Sequence, residues 1–350
     1  MAKPQQKPGI PGRKPQRPGQ KPVRSGPRQP VADGGGNSPR FLHEATVTAL
    51  NEFGDGVVQL RERTIKVARS LPGDRIRISV PDNGKRFVYG DLVKMLKPSG
   101  SRVDPACPAF LAGCGGCQWL ALDYAEQLQW KTRIVGELFR QRCPIGVKAK
   151  DTIGMERPEA YRNKLSLRNH GGRLVFMQDF ADQALAPEQC RVETPAIQAA
   201  WTWLRGLTVP EVVLQVHLRS VDRPVAGGEN GRSGTVGAHL FVRRFTAAVE
   251  AFARQLLEKG DVAGVGATCH EEYRLLGGVE CLEQLSGGLR YRIPHDGFFQ
   301  TNHIQAERLL GLALDSLAPR PDEAVLDLYC GSGYFSLPLA RRSRTVLGIE

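Results

Sequence analysis

The stretch Ala324-Val325-Leu326-Asp327-Leu328-Tyr329-Cys330-Gly331-Ser332-Gly333-Tyr334-Phe335, closing at Val346-Leu347-Gly348-Ile349-Glu350, decides the fold. An apolar run, expected to be buried, feeds a tight glycine turn. A short helical segment follows over Ser336 to Arg342, and a second apolar run ends in an acid. Strand, glycine loop, helix, strand and carboxylate in that order start a doubly wound α/β sheet.

Glycines at 331 and 333 let the backbone pass close to a ligand where a side chain would clash. Glu350 lies nineteen residues past Gly331, where a carboxylate can accept two ribose hydroxyls. The third glycine of the dinucleotide fingerprint is replaced by Ser336, which argues against a nicotinamide or flavin pyrophosphate. A ligand with a ribose and no phosphate fits better, and S-adenosylmethionine is the candidate. The alternative is a structural turn in a generic α/β domain.

Upstream of this stretch, Thr301–Leu317 reads as a helix. Between 150 and 295 the pattern is mixed. A hairpin is expected from Lys164–Leu167 and Leu174–Met177 around Gly171-Gly172, with helices at Ala196–Leu207 and Phe245–Leu257. Strands are expected at Val212–Leu218, Val236–Val242 and Leu289–Ile293, with a loop at 223–235. Residues 121–142 carry Tyr124, Leu128, Lys131, Ile134, Val135 and Leu138 at helical spacing, and Pro144 stops them. Residues 41–98 read as a small OB-like barrel, with period-two segments at Glu44–Leu50, Gly56–Leu60, Thr64–Ala68, Arg75–Pro81 and Arg86–Met95. Gly54-Asp55-Gly56, Pro72-Gly73-Asp74 and Asp82-Asn83-Gly84 supply turns between them.

Charge is uneven. Of a net +12, residues 1–40 contribute +8, from nine Lys/Arg against Asp33, and they also hold nine prolines and no aromatic residue. Such a segment cannot bury enough apolar surface to fold. It is expected to be a disordered basic tail suited to RNA phosphates, or a solubilising or targeting extension. No apolar run reaches the ~18 residues of a membrane span, and the N-terminus lacks the apolar core of a secretory signal. A cytoplasmic monomer with no membrane partner is expected.

Three of the eight cysteines fall within eleven positions, as Cys107-(six residues)-Cys114-Gly115-Gly116-Cys117. In a chain without an export signal this points to ligation rather than disulfides. Spacing alone does not separate Zn²⁺ from an iron–sulfur cluster, and a fourth ligand must come from elsewhere.

The combination resembles the RNA (uracil-5-)-methyltransferase family, in the branch that carries a TRAM domain and a [4Fe–4S] cluster and acts mainly on 23S ribosomal RNA. The resemblance rests on Leu71-Pro72-Gly73-Asp74, Pro98-Ser99 through Arg102-Val103-Asp104-Pro105, the cysteine loop through Gln118, and Tyr161-Arg162-Asn163-Lys164. It also rests on Glu188-Gln189-Cys190-Arg191-Val192, Phe298-Phe299-Gln300-Thr301-Asn302 and Leu326-Asp327-Leu328-Tyr329-Cys330-Gly331-x-Gly333. It implies an α/β multi-domain chain: a basic tail at 1–40, an OB-like TRAM barrel at 41–99, and the iron–sulfur loop with a central α+β RNA-binding domain at 100–295. The start of a Rossmann-like class I methyltransferase domain would occupy 296–350. It implies cofactor contacts at Gln300, Tyr329, Tyr334 and Glu350, and cluster ligands at Cys107, Cys114, Cys117 and Cys190.

The implied reaction is methylation of uracil C5 through a cysteine adduct at C6. The nucleophilic Cys and the basic Glu are expected downstream of residue 350, so no catalytic residue is assigned here. Cys330, in the cofactor loop, reads as a small packing residue. Two strands cannot bury both faces of their sheet, so a chain stopping at Glu350 reads as part of a longer enzyme. The other readings are the same reaction on tRNA, or a non-catalytic RNA-binding iron–sulfur or zinc protein.

Overall fold

The computed structural model describes residues 40–82, 85, 87–143, 146–177, 184–223, 233–258 and 262–350. Residues 1–39 of the basic tail, the Asn83-Gly84 turn, Arg86, Pro144 and most of the 223–235 loop lie outside them.

The first strands are β1 (Arg40–Thr46), β2 (Ala49–Leu50), β3 (Gly56–Leu60), β4 (Arg63–Val67), β5 (Arg75–Pro81), β6 (Phe87–Tyr89) and β7 (Asp91–Lys97). They form two sheets, β1-β5-β7 and β2-β3-β4-β6, around one core. Alternation selects that core: Ile76, Ile78 and Val80 of β5 are buried, facing Val58, Ile65 and Val67. Five expected segments become seven strands because the first and last each change partner midway. At the first break, Val47 N–H donates to Asp74 O and Thr48 N–H to Val57 O. At the last, β6 runs parallel to β4 and β7 antiparallel to β5. Gly90 lies between them, where a Cβ would sit 2.8 Å from Ile65 Cγ2.

Helices α1 (Pro108–Leu111) and α2 (Tyr124–Arg142) follow. The Asp123 side chain caps α2 by accepting from the Ala125 and Glu126 N–H groups. Next come β8 (Lys164–His170), β9 (Arg173–Met177), β10 (Ala184–Leu185), α3 (Pro195–Leu204), β11 (Val213–Arg223), β12 (Ser233–Val242), α4 (Ala247–Glu258), β13 (Val262–Cys269) and β14 (Glu272–Gly278). The strands make one sheet in the order β10-β9-β8-β11-β12-β13-β14. All its pairings are antiparallel except β12 with β13, which α4 connects.

On one face Leu165, Leu167, Val216, Leu218, Ala238, Leu240, Val265 and Ala267 pack with Trp201 and Leu204 of α3 and Phe252 and Leu256 of α4. Each of the Leu, Val and Phe side chains contributes about 1.5–3 kcal/mol when fully buried. The sequence reading missed β13, β14 and the later β15. Glycine explains β13: a Cβ at Gly264 would lie 2.2 Å from Val279 O, and one at Gly266 would lie 2.6 Å from the Tyr273 hydroxyl.

The chain closes with the hairpin β15 (Cys281–Ser286) and β16 (Leu289–Pro294), then α5 (His303–Leu317), β17 (Ala324–Leu328), α6 (Ser336–Ala340) and β18 (Thr345–Ile349). β17 and β18 are parallel neighbours. Leu282, Tyr291, Ile293, Phe299, Leu310, Leu314, Tyr334 and Leu339 form their core. The expectation that the β17 run is buried is corrected. Only Val325 and Val346 pack inward, whereas Leu326 is 57% and Leu347 61% exposed, because one face of the two-stranded sheet is covered. The fold is mixed α/β with several sheets. No helix among the described residues is long and apolar enough to cross a membrane.

Asp74 joins the first two sheets to the segment that leads into the cysteines. Its buried carboxylate accepts from Leu71 N–H (2.6 Å) and Ser99 N–H (2.9 Å), and from Arg102 at both oxygens, 2.7 Å each. Asp74→Ala leaves that guanidinium without its counter-charge and should lower unfolding stability by about 3–5 kcal/mol in urea denaturation.

Candidate active site and cysteine pocket

After β17 the backbone turns through positive φ at Tyr329 (62°), Gly331 (53°) and Gly333 (74°). Glycine accepts this freely. Tyr329 is held there by its own N–H, which donates to Ile349 O at 2.7 Å. Cys330 N–H donates to the same carbonyl at 3.1 Å. Gly331 N–H donates to Glu350 Oε2 at 2.7 Å, so the acid that ends β18 closes on the glycine loop. The Tyr329 ring is 90% exposed beside it. Ser336, in place of the third glycine, donates its hydroxyl to Asp327 Oδ2 at 2.6 Å and so ties the start of α6 back to β17. Cys330 Sγ packs over Gly348, where a Cβ would lie 2.9 Å away. It is a packing residue, as expected.

Of the four expected cofactor contacts, Glu350 and Tyr329 lie at this loop. Gln300 is connected to it through Phe298, two residues before it, whose carbonyl accepts from Ser332 Oγ at 3.0 Å. Tyr334 is placed differently. Its ring is buried between Tyr291, Phe299 and Phe335, and its hydroxyl lies 3.1 Å from Ser286 Oγ. Burial raises that phenol's pKa. The aromatic side chain after the second glycine is drawn into the apolar core beneath the loop, so it is a core residue rather than a contact.

The expected cysteine ligands come together. Cys107 immediately precedes α1, and Cys114 and Cys117 follow it. Cys190 reaches the same place from just before α3. All four line one cavity of about 180 Å³, walled by Phe110, Leu165, Phe176 and Val192 and bordered by Arg162 and Glu193. The Arg69 guanidinium holds the loop from behind, donating to Phe110 O and Cys114 O at 2.8 Å each. Burial, then the Glu193 carboxyl, pushes the Cys190 thiol up to about 12. Burial likewise pushes Glu193 up to about 7. Buried acids of this kind stay protonated until a cation offsets their charge. No three His, Cys, Asp or Glu side chains among the described residues stand close enough to hold a single metal ion. No disulfide joins the described cysteines.

Residues 160–163 connect the pocket to the loop. Ala160 N–H donates to Arg191 O (2.9 Å), Arg162 N–H to Val192 O (2.6 Å) and Thr194 N–H to Arg162 O (3.0 Å). On the far side Asn163 N–H donates to Thr301 O at 3.0 Å, and its Nδ2 to Gln300 O at 3.0 Å. Arg162, Asn163, Glu193 and Asp327 were not singled out as site residues from sequence. The signal for three of them lay in quoted motifs, but nothing in those motifs says which atoms they touch.

The tRNA (Uracil-5-)-methyltransferase family model matches residues 279–350. The 23S rRNA (uracil(1939)-C(5))-methyltransferase RlmD of Tolumonas auensis is 31% identical over 324 residues, 89% of this chain and 70% of that protein. The chain belongs to the RNA (uracil-5-)-methyltransferase family. An uncharacterised RNA methyltransferase of Gloeobacter violaceus is 30% identical over 87% of this methyltransferase and 71% of its own length. The fold is shared with the crystal structure of Pyrococcus abyssi tRNA (uracil-54, C5)-methyltransferase in complex with S-adenosyl-L-homocysteine. That match has a TM-score of 0.63 and 20% identity, covering 85% of this chain and 70% of that one. The methyltransferase is thus an S-adenosylmethionine-dependent enzyme of uracil C5 in RNA.

Glu193 gives a pH signature in metal-free protein. Its native pKa, about 7, stands above the ordinary value of 4.5, so the native state holds a proton the unfolded chain releases. The associated stability is present below pH 4.5 and lost as pH rises through 7. Glu193→Gln should match the parent at pH 4 and exceed it at pH 8 by on the order of 3 kcal/mol in thermal or urea unfolding.

Proposed function

We propose that the methyltransferase modifies a uridine of 23S ribosomal RNA in the cytoplasm, with transfer RNA as the second reading. The observation that carries the donor half is the closure of Glu350 on the glycine loop, Gly331 N–H to Oε2 at 2.7 Å. An exposed Tyr329 stands beside it and the Gln300 segment is bonded to it through Ser332. Gln300, Tyr329 and Glu350 are assigned to S-adenosylmethionine, and Tyr334 to the core that supports the loop. The 31% identity to an RlmD protein supports ribosomal RNA. The name of the matching family model is what favours transfer RNA. We assign the barrel to 41–99, the cysteine loop and RNA-binding sheet to 100–295 and the methyl-donor domain to 296–350.

The covalent route follows from uracil chemistry, since C5 is too weak a nucleophile alone. A thiolate adds to C6, and the electron pair released into C5 attacks the sulfonium methyl group. S-adenosylhomocysteine departs, a base takes the C5 proton, and the thiolate is expelled. The target base must be turned out of its stack to enter such a site. The nucleophile and the base are not assigned to any residue of this chain. With a version of the protein extended past Glu350 and S-adenosylmethionine labelled in the methyl group, transfer to C5 of a 23S uridine and not to unmodified transfer RNA is expected. Transfer to transfer RNA alone would reverse the assignment, and transfer to neither would favour a non-catalytic RNA-binding protein.

Cys107, Cys114, Cys117 and Cys190 are assigned as ligands of a [4Fe–4S] cluster. The donor set fits in kind: four cysteines line one largely apolar cavity, and four thiolates suit an iron–sulfur cluster as they suit zinc. Bound there, the cluster would cross-link the loop at 107–117 to Cys190. Reconstitution with iron and sulfide under anaerobic conditions should give a brown protein with broad visible absorption, and Cys190→Ser should lose most of it. A colourless protein that takes up one zinc per chain would sink the cluster assignment.

A further inference from the structure

Five consecutive backbone carbonyls, residues 297 to 301, are each held by a donor from elsewhere in the chain. Gly297 O accepts from Arg219 Nη2 at 3.0 Å and Phe299 O from Arg219 Nη1 at 3.4 Å. Gln300 O accepts from Asn163 Nδ2 and Thr301 O from Asn163 N–H, both at 3.0 Å. The remaining one, Phe298 O, accepts from Ser332 Oγ in the glycine loop at 3.0 Å. The segment belongs to no strand or helix, so no ladder orients its peptide planes. These donors do so instead.

We infer that Asn163 and Arg219 are positioning residues for methyl-donor binding: they set the backbone of 297–301 from behind and thereby aim Gln300 and the Ser332 end of the loop at the ligand. The inference rests on the assignment of Gln300 to S-adenosylmethionine.

Packing alone does not account for either residue. Arg219 is 4% exposed, and its ion-pair partner is no carboxylate among the described residues. Its Nε is buried without a partner. A guanidinium so placed is costly, and burial pulls its pKa down to about 10, so it keeps its charge and five donors at neutral pH. Asn163 is 4% exposed with Oδ1 equally unpartnered. An apolar side chain at either position would avoid these costs but would leave the carbonyls of 297, 299 and 300 unbonded. The two residues are also fixed to each other's elements: Asn163 precedes β8, Ser220 N–H donates to Asn163 O at 2.9 Å, and Arg219 lies in β11, paired with Lys164. The clamp is therefore part of the seven-stranded sheet, and the segment it holds leads into α5.

The test is calorimetric titration of the full chain with S-adenosylmethionine, for Gln300→Ala, Asn163→Ala, the double variant and Arg219→Lys. Gln300→Ala should weaken binding about tenfold, and Asn163→Ala about five- to tenfold, the worth of one neutral hydrogen bond. The double variant should be no weaker than the weaker single one, because Asn163 acts through Gln300. Arg219→Lys keeps the charge but loses the two-pronged fork, and should weaken binding with a smaller change in thermal midpoint than in affinity. If Gln300→Ala binds normally, the assignment of Gln300 fails. If Gln300→Ala is weakened while Asn163→Ala binds normally, or if the two losses simply add, the positioning role is overturned and the assignment stands.

Discussion

The run from Ala160 to Asn163 is the constraint on which the rest of the site depends. One edge bonds the wall of the cysteine pocket through Arg191, Val192 and Thr194, and the other bonds Gln300 and Thr301. Four residues therefore set the distance between two places that are far apart in sequence. Neither place is built from regular secondary structure at the point of contact. Each takes its backbone hydrogen bonds from this shared run, and a shift of the run would disturb both.

The seven-stranded sheet gives that run its rigidity. β8 continues directly from Asn163, and its inward residues Leu165 and Leu167 are locked under α3 and α4. A close-packed core resists small displacements, because every methylene shift opens a void or a clash. The opposite face carries Lys164, His217, Arg219 and His239. Burial pulls both imidazoles down to about 4, so near neutral pH they are uncharged rings.

Much of the fold was legible because its signals are local. Alternation marked β3, β5 and β16, and turn glycines marked the β8–β9 hairpin, since side-chain period and positive φ act within a few residues. The breaks in the first and last of the five N-terminal segments were not legible. There the chain changes partners, and the choice depends on Asp74, in the turn before β5, and on Ile65 of β4. β13 was missed because Gly264 and Gly266 interrupt its apolar run. They are required by Tyr273 and His295, whose positions no local pattern records. Tyr334 was misplaced for the same kind of reason: an aromatic residue in a ligand loop and one in the core beneath it look alike until Tyr291 and Phe299 are seen around it.

The sequence alone determined the strand–glycine loop–strand order at 324–350, the acid at its end, the cysteine spacing and the family, because each is a property of neighbouring residues. Tertiary structure alone decided that Glu193 is buried beside Cys190, and that Asn163 and Arg219 carry the carbonyls of 297 and 299–301. The contacts of Asn163 and Arg219 use backbone atoms as partners. Every residue has the same carbonyl, so a side chain's choice among them leaves no mark in the sequence of the segment it holds.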